Sequence, residues 1–401
     1  MCSLPTLLAK SNPVLLIVAA ASACSNIAEP NDRGVRERWY QVQPGVTWAR
    51  PAVSASVVYF GTGDGRVIAR DQATGAAKWA TTVGPDPVLG GNIRLRRGVV
   101  VAPVLNYTLG LDAETGRILW RYEAPHDTAG RGSSAPTRPG QVVMSRIDGD
   151  DANVYIPAWG ASVSAVDLQT GTLRWVWSPG HIAGDTAASG VFRSGAMSVR
   201  VAGDTVFATM WHHLTSTGAT VDAWVVALSR LTGTEYWRVR LPLQGSIQGM
   251  PVMYGNLVIV NTVPGRTYAI NRTTREIAWQ FDPPAGTLAK LSTVSQVELY
   301  SDVVYVDGGD SHIYALNAAN GAEKWRSAIS SQVTKDMLVT DRRIVFTEGG
   351  TLYVLDRLSG ARVASTTQPR KHDPLFSSAA SYDAGLVFVN VADAAWCFEE
   401  P

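Results

Sequence analysis

The chain has 401 residues, of which 46% are hydrophobic and 17% charged, and its 35 Lys and Arg residues almost balance its 34 Asp and Glu residues. This balance gives no basic face of the kind that binds nucleic acid, so we expect no nucleic-acid partner. Three cysteines are too few for a disulfide framework, because Cys2 belongs to the first residues of the chain and Cys24 and Cys397 have other expected roles.

The first residues differ from the rest of the chain. An apolar run from Val14 to Ala21 follows Lys10 and is much shorter than the roughly 20 residues of a membrane-spanning helix. Small residues and then Cys24 follow it, which is typical of a cleaved export signal. We predict a signal peptide over residues 1–23 and a polar tether over residues 24–35.

The stretch Ala21-Ser-Ala-Cys24 resembles the lipobox of bacterial lipoproteins, in which the cysteine is diacylated and becomes the new N-terminus. The resemblance implies lipidation of Cys24 and membrane attachment through the N-terminal lipid. Ser25 after the cysteine implies an outer-membrane destination, facing the periplasm. A soluble secreted or periplasmic protein is the alternative.

A nine-residue pattern recurs along the remaining chain, beginning with Asp71-Gln-Ala-Thr-Gly-Ala-Ala-Lys-Trp79. The first Asp or Asn accepts hydrogen bonds from main-chain N–H groups two or three residues on, and Gly supplies the positive φ that closes a hairpin loop. We therefore interpret these residues as structural. The predicted turn and packing residues are Asp71, Gly75, Trp79, Asp112, Gly116, Trp120, Asp167, Gly171, Trp175, Gly233, Trp237, Asn271, Trp279, Asn317, Gly321 and Trp325.

Each turn joins two apolar strands, and another strand pair precedes it, which gives four strands per unit. The repeat tryptophans are 40 to 62 residues apart, which is the period of a propeller blade; they are Trp39, Trp79, Trp120, Trp175, Trp237, Trp279 and Trp325. We assign the indoles to packing between blades and not to cofactor stacking. A seventh copy, Asp356 to Ala364, has Ala in place of the Trp.

Both ends of the globular part predict how the ring closes. Residues 395–399 read as a third strand with no Trp strand after it, and Trp39 lies in a strand that precedes the first complete unit. Pairing the two would remove an open edge. The predicted fold is all-β: an eight-bladed β-propeller of four-stranded antiparallel blades over residues 36–401, with the last blade closed by the N-terminal strand. We assign Trp39 to ring closure.

Two Trp spacings exceed the others and place extra residues in blades three and four. The first contains Asp148, Asp150, Asp151 and Asn153, whose oxygens suit Ca²⁺, although a solvated hairpin is the favoured interpretation. The second contains His181, His212, His213 and Asp222. Adjacent histidines on a strand point to opposite faces, which argues against a shared zinc ion. Cys397 occupies a position that holds Ala in other copies and is expected to be buried and inert.

The repeated apolar-Tyr-Ala-Leu-Asn/Asp, Thr-Gly and Trp pattern resembles the PQQ-type β-propeller repeat over nearly all of residues 36–401. Two branches have this repeat: quinoprotein dehydrogenases and the outer-membrane protein assembly factor BamB family of non-enzymatic lipoprotein scaffolds. The dehydrogenases typically carry an adjacent Cys-Cys pair, a Ca²⁺ site and a catalytic Asp. This sequence has no adjacent Cys pair, which favours the scaffold.

Resemblance to the BamB family implies a monomeric protein without a cofactor that binds the barrel-assembly protein BamA. A loop Arg just before an inner strand is among that family's contacts, and Arg131-Gly-Ser-Ser-Ala-Pro136 is similar to that motif, which makes Arg131 the candidate partner-binding residue. In this chain the motif lies one blade earlier than the family pattern, and the alternative is that residues 134–136 simply begin an inner strand. An exported PQQ-dependent dehydrogenase-like or small-ligand-binding propeller, with PQQ or Ca²⁺, is the alternative function.

Overall fold

The computed structural model describes residues 35–401 except 44, 46–48, 87, 89–90, 105–106, 125–145, 159–161, 180–193, 214–220, 245, 248, 264, 285–296, 330–336, 349–350, 368–377 and 392–393. The predicted signal peptide and tether, with Cys24, lie outside the described residues, as does the segment that contains Arg131. Within the described residues, 32 strands form eight four-stranded antiparallel sheets. The predicted propeller is therefore confirmed.

The first four complete blades follow one another along the chain. Their strands are β2 (Ala52–Val53), β3 (Val57–Gly61), β4 (Arg66–Asp71) and β5 (Ala77–Thr82); β6 (Arg94–Arg96), β7 (Val99–Pro103), β8 (Thr108–Asp112) and β9 (Ile118–Tyr122); β10 (Asp148–Gly149), β11 (Asn153–Ala158), β12 (Ser162–Asp167) and β13 (Leu173–Trp177); and β14 (Ser194–Ala202), β15 (Thr205–His213), β16 (Val221–Ser229) and β17 (Glu235–Gln244).

The other four blades repeat this order, and the N-terminal strand completes the eighth. Their strands are β18 (Val252–Tyr254), β19 (Leu257–Asn261), β20 (Thr267–Asn271) and β21 (Ile277–Phe281); β22 (Val297–Tyr300), β23 (Val303–Asp307), β24 (His312–Asn317) and β25 (Glu323–Ala328); β26 (Leu338–Val339), β27 (Arg343–Glu348), β28 (Thr351–Asp356) and β29 (Arg362–Thr367); and β30 (Ser381–Asp383), β31 (Leu386–Val391) and β32 (Ala394–Glu399) with β1 (Arg36–Val42).

Closure joins the two ends of the propeller by main-chain pairing. Strand β1 runs antiparallel to β32, with Arg36 opposite Glu399 and Val42 opposite Ala394. Trp39 is buried against Phe60 of blade 1 and Phe388 of blade 8. The prediction that the N-terminal strand closes the last blade is confirmed.

In most seams of the ring, an indole of one blade packs on the turn of the next blade. The ring of Trp39 lies against the turn of blade 1, where a Cβ added at Gly75 would come within 2.6 Å of the ring. The indole Nε1 of Trp39 also donates to the carbonyl oxygen of Gln72 in the same turn, at 2.7 Å. Trp79, Trp120, Trp175 and Trp279 donate in the same way to the turn of the following blade.

The seam between blades 7 and 8 is built differently. Ala364 takes the Trp position of blade 7, and β32 and β1 of blade 8 are not joined by a Thr-Gly turn, because they come from opposite ends of the propeller. Ala364 instead shares an apolar cluster with Trp396 and Phe398 of blade 8. The indole of Trp396 donates to Glu37 of β1 at 3.0 Å. A different tryptophan therefore fills this seam.

The acidic stretch that we placed in the blade-three insertion is the ordinary first hairpin of that blade, so this placement is wrong. Asp148 lies in β10 and Asn153 in β11, and the carboxylate of Asp150 accepts the N–H groups of Ala152 and Asn153 across the turn. The extra residues lie in the preceding connection from β9. Our interpretation of the stretch as a hairpin agrees with the structure.

In blade 4 the extra length lies partly in the strands, which have nine or ten residues each. His212 and His213 are consecutive residues at the end of β15, and His212 pairs with Asp222 through the main chain. The carboxylate of Asp222 is buried and bonds Arg240 at 2.8 Å. His181 lies outside the described residues.

Cys397 is fully buried at the third-strand position, opposite Trp39 and Phe388. Burial raises the pKa of its thiol to about 12, so the thiol is protonated at neutral pH.

Within the described part of the chain, no helix has the length and apolar character needed to cross a membrane.

Candidate functional site: the central channel

The first strands of neighbouring blades contact one another around the axis, so they line the central channel. The first hairpin has the same register in every blade, which defines eight equivalent positions on these inner strands. We call these positions the channel ring. In blade order they are Ala52, Arg94, Asp148, Arg200, Val252, Glu298, Leu338 and Ser381.

Blades 2, 3 and 4 contribute a chain of charges to the channel ring. Arg94 approaches one carboxylate oxygen of Asp148 at 3.3 Å, and Arg200 approaches the other at 4.0 Å. The main-chain N–H of Val201 donates to the second oxygen at 3.0 Å. Asp148 is thus a buried carboxylate held by two guanidinium groups and one backbone donor.

Two side chains reach across the axis. Arg50 of blade 1, two residues before the ring position, forms an ion pair with Glu298 of blade 6 at 3.4 Å. Arg94 of blade 2 approaches the sulfur of Met250, which precedes the ring position of blade 5, at 3.8 Å. Non-neighbouring blades are therefore in direct contact at this level of the channel.

The environment of Arg94 in the channel lowers the pKa of its guanidinium group. Burial, together with repulsion from Arg200, Arg50 and Arg96, outweighs attraction to Asp148 and lowers the pKa of Arg94 to about 10. The side chain remains 31% exposed. Arg94 stays charged at neutral pH, and an additional negative group nearby would stabilise that charge.

The described carboxylates of the channel do not fit a Ca²⁺ site. Calcium takes six to eight oxygen ligands, whereas Asp148 and Glu298 belong to different, well-separated blades and already pair with arginines. No group of three or more His, Cys, Asp or Glu side chains comes together to hold a metal among the residues that the structure describes.

The predicted repeat residues lie at the rim of the molecule, away from the channel ring. Asp71 accepts the N–H groups of Ala73 and Thr74 and the hydroxyl of Thr74, and Asp112, Asp167 and Asp356 repeat this arrangement. These hydrogen bonds lower the pKa values of all four carboxyl groups. The turns act as structural units that face the Trp of the preceding blade.

Sequence reasoning missed the channel residues, with the exception of Asp148, which it placed in a loop. The usable signal was the constant length of the first hairpin: Arg94, Arg200 and Glu298 lie the same number of residues before the buried second-strand residues Val101, Phe207 and Tyr305. When the repeats are aligned on the second strand of each blade instead of on the Trp, the charged residues of different blades fall at the same position of the inner strand.

The fold and the interlocked turns define the class of protein, an eight-bladed β-propeller built from PQQ-like repeats. The family model described as "Outer membrane protein assembly factor BamB" matches residues 27–210, 160–331 and 297–392, which together cover most of the chain. The chain therefore belongs to this family.

Individual relatives are more distant. The chain is 30% identical over 145 residues to the outer membrane protein assembly factor BamB of Nitrosomonas eutropha, a stretch that covers 35% of this chain and about a third (33%) of that protein. The crystal structure of BamB from Moraxella catarrhalis matches 90% of this chain and 98% of its own, with a TM-score of 0.62 and 14% identity.

A quinohemoprotein alcohol dehydrogenase from Comamonas testosteroni matches 91% of this chain and 76% of its own, with a TM-score of 0.69 and 13% identity. At such identities the two structural likenesses establish the fold alone. The fold accommodates both a BamB and a dehydrogenase, so the choice between those functions depends on the family match and the side chains.

Proposed function

We propose that this protein is a non-enzymatic, lipid-anchored scaffold of the periplasm that binds a protein partner during assembly of outer-membrane β-barrels. The observation that carries the proposal is the match to the BamB family model, which runs from residue 27 to residue 392. The sequence before β1 supports the anchoring part, because Cys24 follows an apolar run and small residues and lies close ahead of the first strand at Arg36.

The topology favours one face of the propeller for the partner. In an antiparallel blade, the connection from the outer strand to the next inner strand and the connection from the second to the third strand lie on the same face. The longest of these connections run from Tyr122 to Asp148 and from Trp177 to Ser194, on the two sides of blade 3, and from Phe281 to Val297, between blades 5 and 6. Long loops on a rigid scaffold are where binding residues concentrate, and Arg131 belongs to the first.

A pull-down from detergent-solubilised membranes tests this proposal. The full-length protein is expected to recover the barrel-assembly protein of its own organism. Arg131→Glu should reduce recovery, whereas Arg121→Glu, on the outer strand β9, should not. Recovery of no barrel-assembly component by the wild-type protein would refute the scaffold role. Equal recovery by both variants would place the contact elsewhere.

Membrane fractionation tests the anchor separately. A diacylated Cys24 supplies two chains at one point, which is the number of signals that stable membrane attachment requires. Cys24→Ala should leave the propeller folded and move the protein out of the membrane fraction. A wild-type protein that is already soluble after export would contradict lipidation and leave the partner-binding proposal intact.

A further inference from the structure

The charges around the channel ring are unbalanced. Among the described residues, the guanidinium groups of Arg50, Arg94 and Arg200 share only two carboxylates, those of Asp148 and Glu298. One positive charge is left over in a confined space. Its repulsive effect is visible on Arg94, whose pKa is depressed by burial and by Arg200 and Arg50.

The three arginines are held in place by the backbone of neighbouring blades. The Nε atoms of Arg50, Arg94 and Arg200 donate to main-chain carbonyl oxygens of Ala380, Ile147 and Pro251, at 2.8, 3.3 and 3.2 Å. Because Nε is used in this way, the terminal nitrogens are presented to the channel. Prior anchoring of the side chains lowers the entropy lost when they bind a ligand.

The three arginine side chains are partly exposed to solvent. The side chains of Arg50, Arg94 and Arg200 are 27%, 31% and 31% exposed, compared with 22% for Glu298 and 8% for Asp148. The surplus charge is thus on the accessible groups, whereas the carboxylate of Asp148 is buried. A confined site with low-dielectric walls and a surplus of one sign of charge concentrates ions of the opposite sign.

We propose that the channel ring is an oxyanion site, in which a carboxylate or phosphate group of a small ligand binds between Arg50, Arg94 and Arg200. Guanidinium groups suit both anions, because their planar N–H pairs match two oxygens at once. The ligand would neutralise the surplus charge and connect blades 1, 2 and 4 across the axis. This site is independent of the partner surface on the loops.

Calorimetric titration of the folded wild-type protein tests the site. One titration uses inorganic phosphate and another uses citrate. A titration with chloride at the same ionic strength is the reference. We expect saturable binding of at least one anion with a matching rise in melting temperature. The arm that responds distinguishes phosphate from carboxylate ligands. Saturable binding of neither anion would overturn the proposal.

Variants test whether the ring is responsible. Arg94→Gln and Arg200→Gln should each weaken binding about tenfold or more, which is the usual effect of removing a hydrogen bond to a charged group. Arg326→Gln, an exposed arginine on β25, is the matched control and should leave binding unchanged. Equal effects of ring and control variants would assign the binding to general surface charge and overturn the proposal.

Glu298→Gln provides a test in the opposite direction. It removes the carboxylate that competes for Arg50, so anion affinity should rise even if the variant is less stable. A purely structural role of the ring predicts a lower stability with no gain in affinity. Unchanged or weaker anion binding by a folded Glu298→Gln protein would contradict the proposed anion site. This test remains valid even if the arginine variants fail to fold.

Discussion

At the scale of single residues, the turn carboxylates combine structure with a defined response to pH. Hydrogen bonds from Arg174 and from the turn lower the pKa of Asp167 from an ordinary 3.8 to about 2. The folded state therefore binds a proton less readily than the unfolded state. The ionised carboxylate stabilises the fold above about pH 4, and this contribution is lost as the pH falls from about 4 towards 2.

Asp167→Asn keeps the acceptor of the turn, as Asn271 and Asn317 do in other blades, but does not titrate. We expect a loss of less than about 1 kcal/mol at pH 7, because the Arg174 side chain of the pair is 55% exposed and solvent screens the interaction. Melting curves between pH 7 and pH 2 should show a shallower acid decline for the variant. The reverse change, Asn271→Asp, should steepen the decline; parallel curves for all three proteins would contradict this account.

In the turn of blade 5, Arg275 replaces the Gly that has a positive φ in the other repeat turns. Arg275 adopts φ 65°, a left-handed conformation that costs a side-chain-bearing residue roughly 1–2 kcal/mol. Its side chain is exposed, so little packing is lost on removal. Arg275→Gly should stabilise the protein by about 1 kcal/mol in denaturant unfolding, with part of the relief offset by the greater backbone freedom of Gly.

Gly321→Ala is the matched control for that substitution. Gly321 adopts φ 73°, and an added Cβ would come within 2.6 Å of the Trp279 ring. This change should destabilise the protein, opposite in sign to Arg275→Gly. If both changes shift the midpoint in the same direction, the turn is not limited by its backbone conformation.

At the scale of elements, the N-terminal strand is predicted to contribute to stability far beyond its length. Trp39 is 6% exposed and is the only indole in β1, where it contacts Phe60, Phe388 and the Gly75 turn at once. Removal of a large buried aromatic costs about 3–5 kcal/mol, a large share of the roughly 5–15 kcal/mol by which domains are stable.

Trp39→Ala should therefore lower the melting temperature strongly. Val42→Ala, in the same strand but 58% exposed, should leave it nearly unchanged. Deleting residues up to Val42 should have the largest effect, because it also exposes the hydrogen-bonding edge of β32. Similar melting temperatures for Trp39→Ala and Val42→Ala would mean that closure does not depend on the indole.

At the scale of the whole molecule, the same fold serves proteins with different activities, so activity has to be tested directly. The channel carboxylates Asp148 and Glu298 are paired with arginines, and the sequence has no adjacent Cys pair. We expect the purified propeller to bind no PQQ and to reduce no dye with alcohols or aldose sugars, with or without Ca²⁺. Stoichiometric quinone binding accompanied by substrate-dependent dye reduction would establish a dehydrogenase in place of the scaffold.

The blade count, the position of each turn and the closing strand could be predicted from the sequence, because they depend on local chemistry. An Asp or Asn start, a Gly with positive φ and a Trp at fixed spacing encode one hairpin each, and a strand without a partner at either end of the propeller implies pairing between them. Cys397 was likewise recognised as buried from its equivalence to Ala in other copies, and the structure buries it.

Only the tertiary structure decided which residues meet at the axis. Arg50 and Glu298 lie far apart along the chain, and their contact depends on the rotation that each blade adds to the ring. The replacement of a blade-7 indole by Trp396 depends in the same way on the packing of the closing seam. Side chains on different blades become neighbours only when the ring closes. The sequence of each single repeat therefore predicts a blade, but it does not predict which side chains meet in the central channel.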